Sequence, residues 1–511
     1  MAIIDDLSQV GYSNEENYTE EEAVTIRRLI AENQALVDDL DAKMDSLLLK
    51  RDKHIDYILR GKAALSPLKE LSQETIREVF LHASQGTIKV PFPYGPEDYD
   101  EDDPNCEELH IMVPTQVVLA QVCSAWRKMA LSIPQLWNDI LFIYNARDNT
   151  LVTASELLSR ARGSGITLKA LFFGYSKPVP KAFDLLIMPN SFKYLEIKLS
   201  SEELLQFYQQ PLEACVNLES LVLEIIYDTT PHEISVTLDP DKYPRFKRLS
   251  IHLLGDRFIN LQDSVIPWHQ LTTLNLHIVR SSQLDVLHQC TSLTSLKIGI
   301  KWDGIHNTGE IYLPRLLNFT LPGASINNVP SLLRIFNFPN LEEFEAVKLT
   351  GHFPEDIQEL MLQRFNFRQI RVLEISIWRD NIDINAILSC APCLESLSLP
   401  EPIIIDQDTV NQVAVGNLGP SLRCIDLVGY ECTWDQALEF VETRWESAIT
   451  SQESVKITPF EKVRFNITNG YHKTPDQSRR EKVLGSRGTT ISFWKPLRLP
   501  ALDAATPTSS V

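Results

Sequence analysis

The chain has 511 residues, 44% of them hydrophobic and 23% charged, with a net charge of −20. That composition is ordinary for globular domains and excludes disorder as the dominant state. The acidic balance excludes broad contact with nucleic acid or an anionic membrane surface.

Glycine numbers only 19, well under the average of about 7%, so a chain built on Gly-rich phosphate loops is not expected. No stretch matches the ~20 mostly apolar residues of a spanning helix. The opening Met1-Ala-Ile-Ile-Asp-Asp puts acids where a leader needs an apolar run. A soluble cytoplasmic or nuclear protein is expected.

Residues 1–18 are polar and expected to be disordered. Thr19-Glu20-Glu21-Glu22 then matches a capping box, with acids at the positive end of a helix dipole. No proline or glycine follows before Gly61, which predicts a long helix over 19–61. Ile26, Leu29, Asn33, Leu36, Leu40 and Leu47 recur at 3–4 spacing, but Lys43, Lys50 and His54 occupy later seam positions. Two readings stand: a short coiled coil through which the chain self-associates, or a solvated helix docking one face on its own domain.

Next come Leu65-Ser-Pro67-Leu68 and the run Leu71 to Phe80, where Ser72 can cap a short helix with apolar Ile76, Val79 and Phe80. In Thr115 to Ala130, residues Leu119, Val122, Trp126 and Met129 form one helical stripe. Pro134 ends that helix, and Leu136-Trp137-Asn-Asp-Ile140 leads into a strand. This segment resembles an F-box, on Leu65-Ser-Pro67, Leu71 through Phe80, Val122-Cys123-x-x-Trp126-Arg127, and Ala130-Leu131-Ser132-x-Pro134-x-Leu136-Trp137. The family's Leu-Pro-x-Glu-Ile-Leu appears as Leu71-Ser72-Gln73-Glu74-Thr75-Ile76, without the proline.

The resemblance covers 62–140 and is closest to fungal F-box proteins with divergent leucine-rich repeats. It implies that Leu65, Pro67, Leu68, Leu71, Ile76, Val79, Phe80, Leu119, Val122 and Trp126 contact a Skp-type adaptor and, through it, a cullin. Read alone, Trp126 and Trp137 are core aromatics, and Ile76, Val79 and Phe80 divide between adaptor contact and core. Residues 84–113 form an insertion carrying Glu97, Asp98, Asp100, Glu101, Asp102, Asp103, Glu107 and Glu108, expected as an exposed acidic loop.

The pattern L-x-x-L-x-L, with Ile or Phe allowed and Ala346 the one exception, then begins at Leu168, Phe192, Leu218, Phe246, Leu271, Leu293, Leu316, Leu341, Ile370, Leu394 and Leu422. The spacing falls within the ~20–29 residue period of leucine-rich repeats. The expected fold class is α/β: a long helix and helical F-box, then an irregular leucine-rich-repeat solenoid over 141–470 with a parallel sheet. Short outer helices are expected at 285–289, 331–336 and 385–388, a further helix over 434–448 and a strand over 461–467. No Asn or Cys follows the last Leu at the family's usual place, so a buried amide ladder is not expected.

Between the Leu positions, Lys198, Glu224, His252, Asn275, His277, Lys297, Glu343, Glu345, Glu374 and Asp426 should face outward on the concave side. Any one alone is a solvated residue; as a surface they are the candidate for binding a protein substrate. The earlier repeats offer Lys198, His252, His277 and Lys297, and the later ones mostly acids.

Cys215, Cys290 and Cys390 recur just before anchors and are expected as small buried packing residues. The one Cys-x-x-Cys, Cys390-Ala-Pro-Cys393, has no second pair, and no metal or cofactor is expected. Residues 471–511 read as a loose basic tail, then disorder. No phosphate-loop, zinc-protease or nucleophile-elbow motif occurs. The expectation is a non-catalytic substrate receptor of a Skp–cullin–F-box ubiquitin ligase. A repeat scaffold outside any ligase and an enzyme with an unrecognised site are the alternatives.

Overall fold

A computed structural model describes residues 18–65, 71–84, 86–90, 114–144, 148–161, 165–172, 192–199, 204, 216–225, 233–253, 258–303, 309–322, 329–347, 356–375, 383–398, 405–451, 456–467 and 473–494. The chain divides into two compact units, residues 1–82 and 83–511. The expected disorder of 1–17 and 499–511, the acids at 97–108 and Cys215 lie outside the described residues.

The first unit opens with helix α1, Glu20–Ala64. Its capping box forms as expected: Glu22 N–H donates to Thr19 Oγ1 at 3.4 Å and Thr19 N–H to the Glu22 carboxylate at 2.8 Å. Among the described residues the stretch from Ala31 to Lys62 buries no face, since every residue there with a described side chain is exposed, whereas Ile26 and Leu29 are half-buried. Helix α2 is Gln73–Ala83, with the Ser72 hydroxyl accepting from Thr75 N–H at its start.

In the second unit the predicted single helix over 115–130 is two, α3 Thr115–Val122 and α4 Ser124–Ser132. Cys123 between them is extended, and its sulfur accepts from Trp126 N–H as the cap of α4. Arg127 Nε reaches back to Ala120 O at 2.9 Å, supplying one of the carbonyls that the break leaves open.

The sheet is built from β1 Ile88–Val90, β2 Asp139–Tyr144, β3 Ile166–Phe172, β4 Phe192–Leu199, β5 Ser220–Ile225, β6 Arg248–Leu253, β7 Thr273–Arg280 and β8 Ser295–Lys301. It continues through β9 Asn318–Pro322, β10 Glu343–Val347, β11 Val372–Ile375, β12 Ser396–Ser398, β13 Cys424–Cys432, β14 Lys462–Ile467 and β15 Thr490–Trp494. Each strand pairs in parallel with the next, so order in space follows order in sequence. With Glu233–Ile234 and Phe258–Ile259, which join at β7, the described residues form a 17-stranded sheet.

Alternation along each strand sends one set of side chains inward and the other to solvent. Leu195, Leu221, Leu249, Leu274, Leu296, Phe319, Phe344, Leu373, Leu397, Ile425 and Val463 form one unbroken buried row, paired residue to residue across neighbouring strands. Residues Phe192 to Leu422 at the anchor positions are all buried beside it. Leu296→Ala removes a buried side chain shared by two neighbouring strands. It is expected to lower unfolding free energy by about 2–5 kcal/mol in a denaturant titration.

The helices between strands appear as α5 Asp148–Arg160, as 3₁₀ turns over Ser281–Gln289 and as α6 Val329–Ile335, α7 Asp356–Arg364, α8 Ile384–Cys390 and α9 Gln407–Val415. Gly299 sits at the bulge between β7 and β8, where a Cβ would lie 1.9 Å from His277 O. Only glycine fits that approach.

Two expectations are corrected. The insertion is not all loop: β1 pairs with β2, and Ile88 is buried. The basic tail is not loose over its described length. Helix α10, Trp434–Thr450, packs against α11, Pro475–Ser486, where Leu484 is buried and Arg480 forks onto Glu442 at 2.6 and 2.9 Å. Strand β15 then extends the sheet. A strand edge left open after β14 would expose unpaired backbone groups, and these residues cover it.

Candidate functional site

Among the residues assigned to adaptor contact, Leu65, Leu71 and Val79 are exposed, Leu71 at 38% and Val79 at 48%. Ile76 is half-buried. Phe80 is 0% exposed and is a core residue, which corrects its assignment. A one-sided short helix must bury its largest aromatic before it can offer any side chain to a partner. Pro67 and Leu68 lie outside the described residues. In the second unit Val122 is exposed, while Leu119 and Trp126 are half-buried. The break at Cys123 puts them on two helices instead of one stripe. Trp137 is buried, donating from Nε1 to Ala130 O at 2.9 Å.

The outward residues fall into three registered rows. The central row runs Lys169, Glu196, Val222, Ser250, Asn275, Lys297, Thr320, Glu345, Glu374, Ser398, Asp426 and Arg464. Lys198, Glu224 and His252 form a second row, paired in turn, with His277 two residues along from Asn275. Glu343 belongs to the third, opposite Asn318 and Val372. The structure therefore places every assigned substrate residue on the solvent-facing side of the sheet.

The predicted cationic end is largely neutral. Lys198 Nζ lies 2.9 Å from Glu224, and Lys169 3.4 Å from Glu196. Burial, helped by nearby His277 and Lys297, holds the His252 imidazole below its ordinary pKa against the pull of Glu224. Burial alone does the same to His277. His252 Nε2 shares a hydrogen bond of 2.8 Å with Ser250 Oγ. Two imidazoles with lowered pKa values add no charge at neutral pH.

The acidic end is denser. Glu345 and Glu374 are register partners, Asp426 is two strands from Glu374, and Arg464 Nη1 meets Asp426 at 2.9 Å. Asn318 donates to Glu343 at 2.6 Å and Thr320 to Glu345 at 3.2 Å, fixing both carboxylates.

Burial, then the charges of Glu345 and Asp426, raise the Glu374 carboxyl above its ordinary 4.5. An acid with a higher folded than unfolded pKa binds its proton more tightly when folded. Its stabilising contribution is complete at low pH and is lost as pH rises past 4.5. Glu374→Gln is therefore expected to raise stability at pH 7, by under about 1 kcal/mol because solvent screens a half-exposed group. It should also flatten the slope of stability against pH above 4.5, read by calorimetry across pH 4 to 8.

Several participants were not foreseen: Lys169, Glu196 and Arg464 in the central row, and an ion-pair ladder one residue before the strands. In that ladder Arg371 bridges Glu342 at 3.8 Å and Glu395 at 2.7 Å, and Arg423 meets Glu461 at 3.2 Å. Arg371 and Glu395 line an open cleft of about 760 Å³ with Arg315 and Arg368. Lysine or arginine and glutamate at the same offset from successive anchors was the available signal. Cys290 is buried and its thiol pushed up to about 12, whereas Cys390 and Cys393 are exposed, against the expectation for Cys390. Cys390 is the last residue of α8 and faces solvent.

Among the described residues no three His, Cys, Asp or Glu side chains are grouped to hold a metal ion, and no helix is long and apolar enough to cross a membrane. No protein-family model matches the chain, and no curated protein matches it.

Proposed function

We propose that this chain is the substrate-recognition subunit of a Skp–cullin–F-box ubiquitin ligase. The residues around Leu71–Phe80 and Val122–Trp137 are read as an F-box, and the long sheet as an irregular leucine-rich-repeat solenoid. The observation that carries the reading is the solvent exposure of Val79 on a short helix, and of Leu71 two residues before its start, in a segment whose sequence resembles the adaptor-contacting part of that family. Two apolar side chains left in water beside a capped helix start favour a protein partner.

In this reading the sheet holds a protein substrate on its outward rows. Glu345, Glu374 and Asp426 are the charged centre, so the substrate offers basic groups there. The chain itself performs no chemistry: it raises the local concentration of a substrate lysine near a thioester carried by another subunit. The test is capture of a purified Skp-type adaptor by the full chain, followed by reconstitution with a cullin. Stoichiometric capture supports the reading. Absence of capture leaves a repeat scaffold outside any ligase.

A further inference from the structure

The residues of α1 offer a seam that the 3–4 count from Leu29 misses. Ile26, Ile30, Asn33, Val37, Leu40, Met44 and Leu47 follow an unbroken 4-3-4-3 spacing. Arg51, His54 and Ile58 continue it in weaker form. Ile30, Val37, Leu40, Met44, Leu47 and Ile58 are all exposed, Leu40 at 62% and Leu47 at 64%. A helix in water draws most of its stability from packing an apolar face. Over 31–62 this one has none.

We infer that α1 pairs with α1 of a second copy as a parallel two-stranded coiled coil. Three features select that occupant. First, β-branched Ile30 and Val37 fall at a positions, with Leu40 and Leu47 at d, the distribution that favours two parallel strands. Second, a parallel in-register pair sets Asn33, at d, opposite Asn33 of the second copy, where the two amides can hydrogen-bond each other, whereas a shifted register would bury each against an apolar side chain. Third, the flanking positions agree in charge. Glu22 at g meets Arg27 at e of the second copy. At the other flanking positions Leu29 meets Gln34, Leu36 meets Asp41, Lys43 meets Leu48 and Lys50 meets Ile55, so no like charges face each other across the flanks.

Ile26 to Ile58 spans roughly 48 Å at ~1.5 Å per residue. The seam is strongest through Leu47 and weakens at Arg51, where two guanidinium groups would meet.

Sedimentation of the full chain alone, without adaptor, tests this. The chain is expected to run at twice 58.2 kDa at about 10 µM; a monomer at that concentration overturns the inference. Leu40→Asp with Leu47→Asp buries charge in the seam and should weaken association at least roughly 100-fold, while Leu49→Asp on the far side should leave it intact. A dimer that survives the double change is held elsewhere, and the inference fails. Val37→Cys should form an intermolecular disulfide on oxidation and Leu49→Cys should not. A dimer that gives no Val37→Cys cross-link overturns the parallel arrangement.

Discussion

Arg444→Ala is expected to lower unfolding free energy by about 3–5 kcal/mol, from the cavity left by a fully buried long side chain and the hydrogen bonds its carbonyl partners lose. The side chain is 0% exposed and has no carboxylate partner among its hydrogen bonds. Instead its guanidinium gathers backbone carbonyls from three segments. Nε donates to Thr458 O at 2.8 Å, Nη1 to Val413 O at 2.9 Å, and Nη2 to Gly419 O and Pro420 O, each at 2.8 Å. Its plane also lies 5.0 Å from the Phe460 ring.

Burial pulls the group down to about 10, which leaves it charged at neutral pH. The carbonyl dipoles take the place of a counter-ion. Those carbonyls belong to the end of α9, the turn before β13 and the approach to β14, and three of them also accept a backbone N–H: Val413 O from Gly416, Gly419 O from Leu422 and Pro420 O from Thr458. Truncation takes one donor from each of the four, at up to about 1–3 kcal/mol apiece where water cannot reach, and the cost is least for the three that keep a backbone N–H. Arg444→Lys should recover little, because an ammonium has three donors at one point where the guanidinium has a planar fork. Denaturant titration of both variants decides it. Equal midpoints for Arg444→Ala and the unchanged chain would mean that water serves these carbonyls and that the arginine clamps nothing.

The parts of this molecule that sequence conveys are those repeated at fixed offsets. Ten of the eleven anchors mark the strand that follows them, because each strand must bury the same positions against its neighbours; Leu168 falls three residues late, since it pairs with Leu195 and not with Phe192. The array was nonetheless read too short at both ends. Trp137-x-x-Ile140-x-Phe142 and Phe460-x-x-Val463-x-Phe465 occupy the same register and are buried alike, but tryptophan and valine fall outside a Leu/Ile/Phe rule. An inward position asks only for apolar volume.

The helix break at Cys123 had no such signal, since a thiol is a weak cap and the apolar stripe runs through it. Arg480 of α11 reads as part of a solvated tail because its partners, Glu442 and Asp435, lie on α10, far off in sequence. The same holds for the outward rows. Alternation placed Lys198 and Glu224 on one face, but only register puts them in contact at 2.9 Å and removes the expected cationic pole.

The strongest functional effect is expected from Leu71→Glu combined with Val79→Glu, which should reduce adaptor affinity by at least roughly 100-fold. Both side chains are exposed in the free chain, so a carboxylate at either place meets water and the fold should keep its stability. In a complex they would be desolvated, where truncating a central apolar contact costs about 2 kcal/mol or more and burying an unpaired charge costs further. Two such losses exceed the ~2.7 kcal/mol that a hundredfold change in Kd requires.

Phe80 supplies the contrast. It is fully buried, so Phe80→Ala is expected to destabilise its surroundings by about 3–5 kcal/mol, and lost capture there would report unfolding. Titrating adaptor onto the double variant by calorimetry, with thermal unfolding measured in parallel, separates the two causes. Weakened capture at an unchanged melting temperature places the adaptor on the exposed side of α2. Unchanged capture would put the adaptor somewhere other than this helix, and the F-box reading of Leu71 to Phe80 would fall with it.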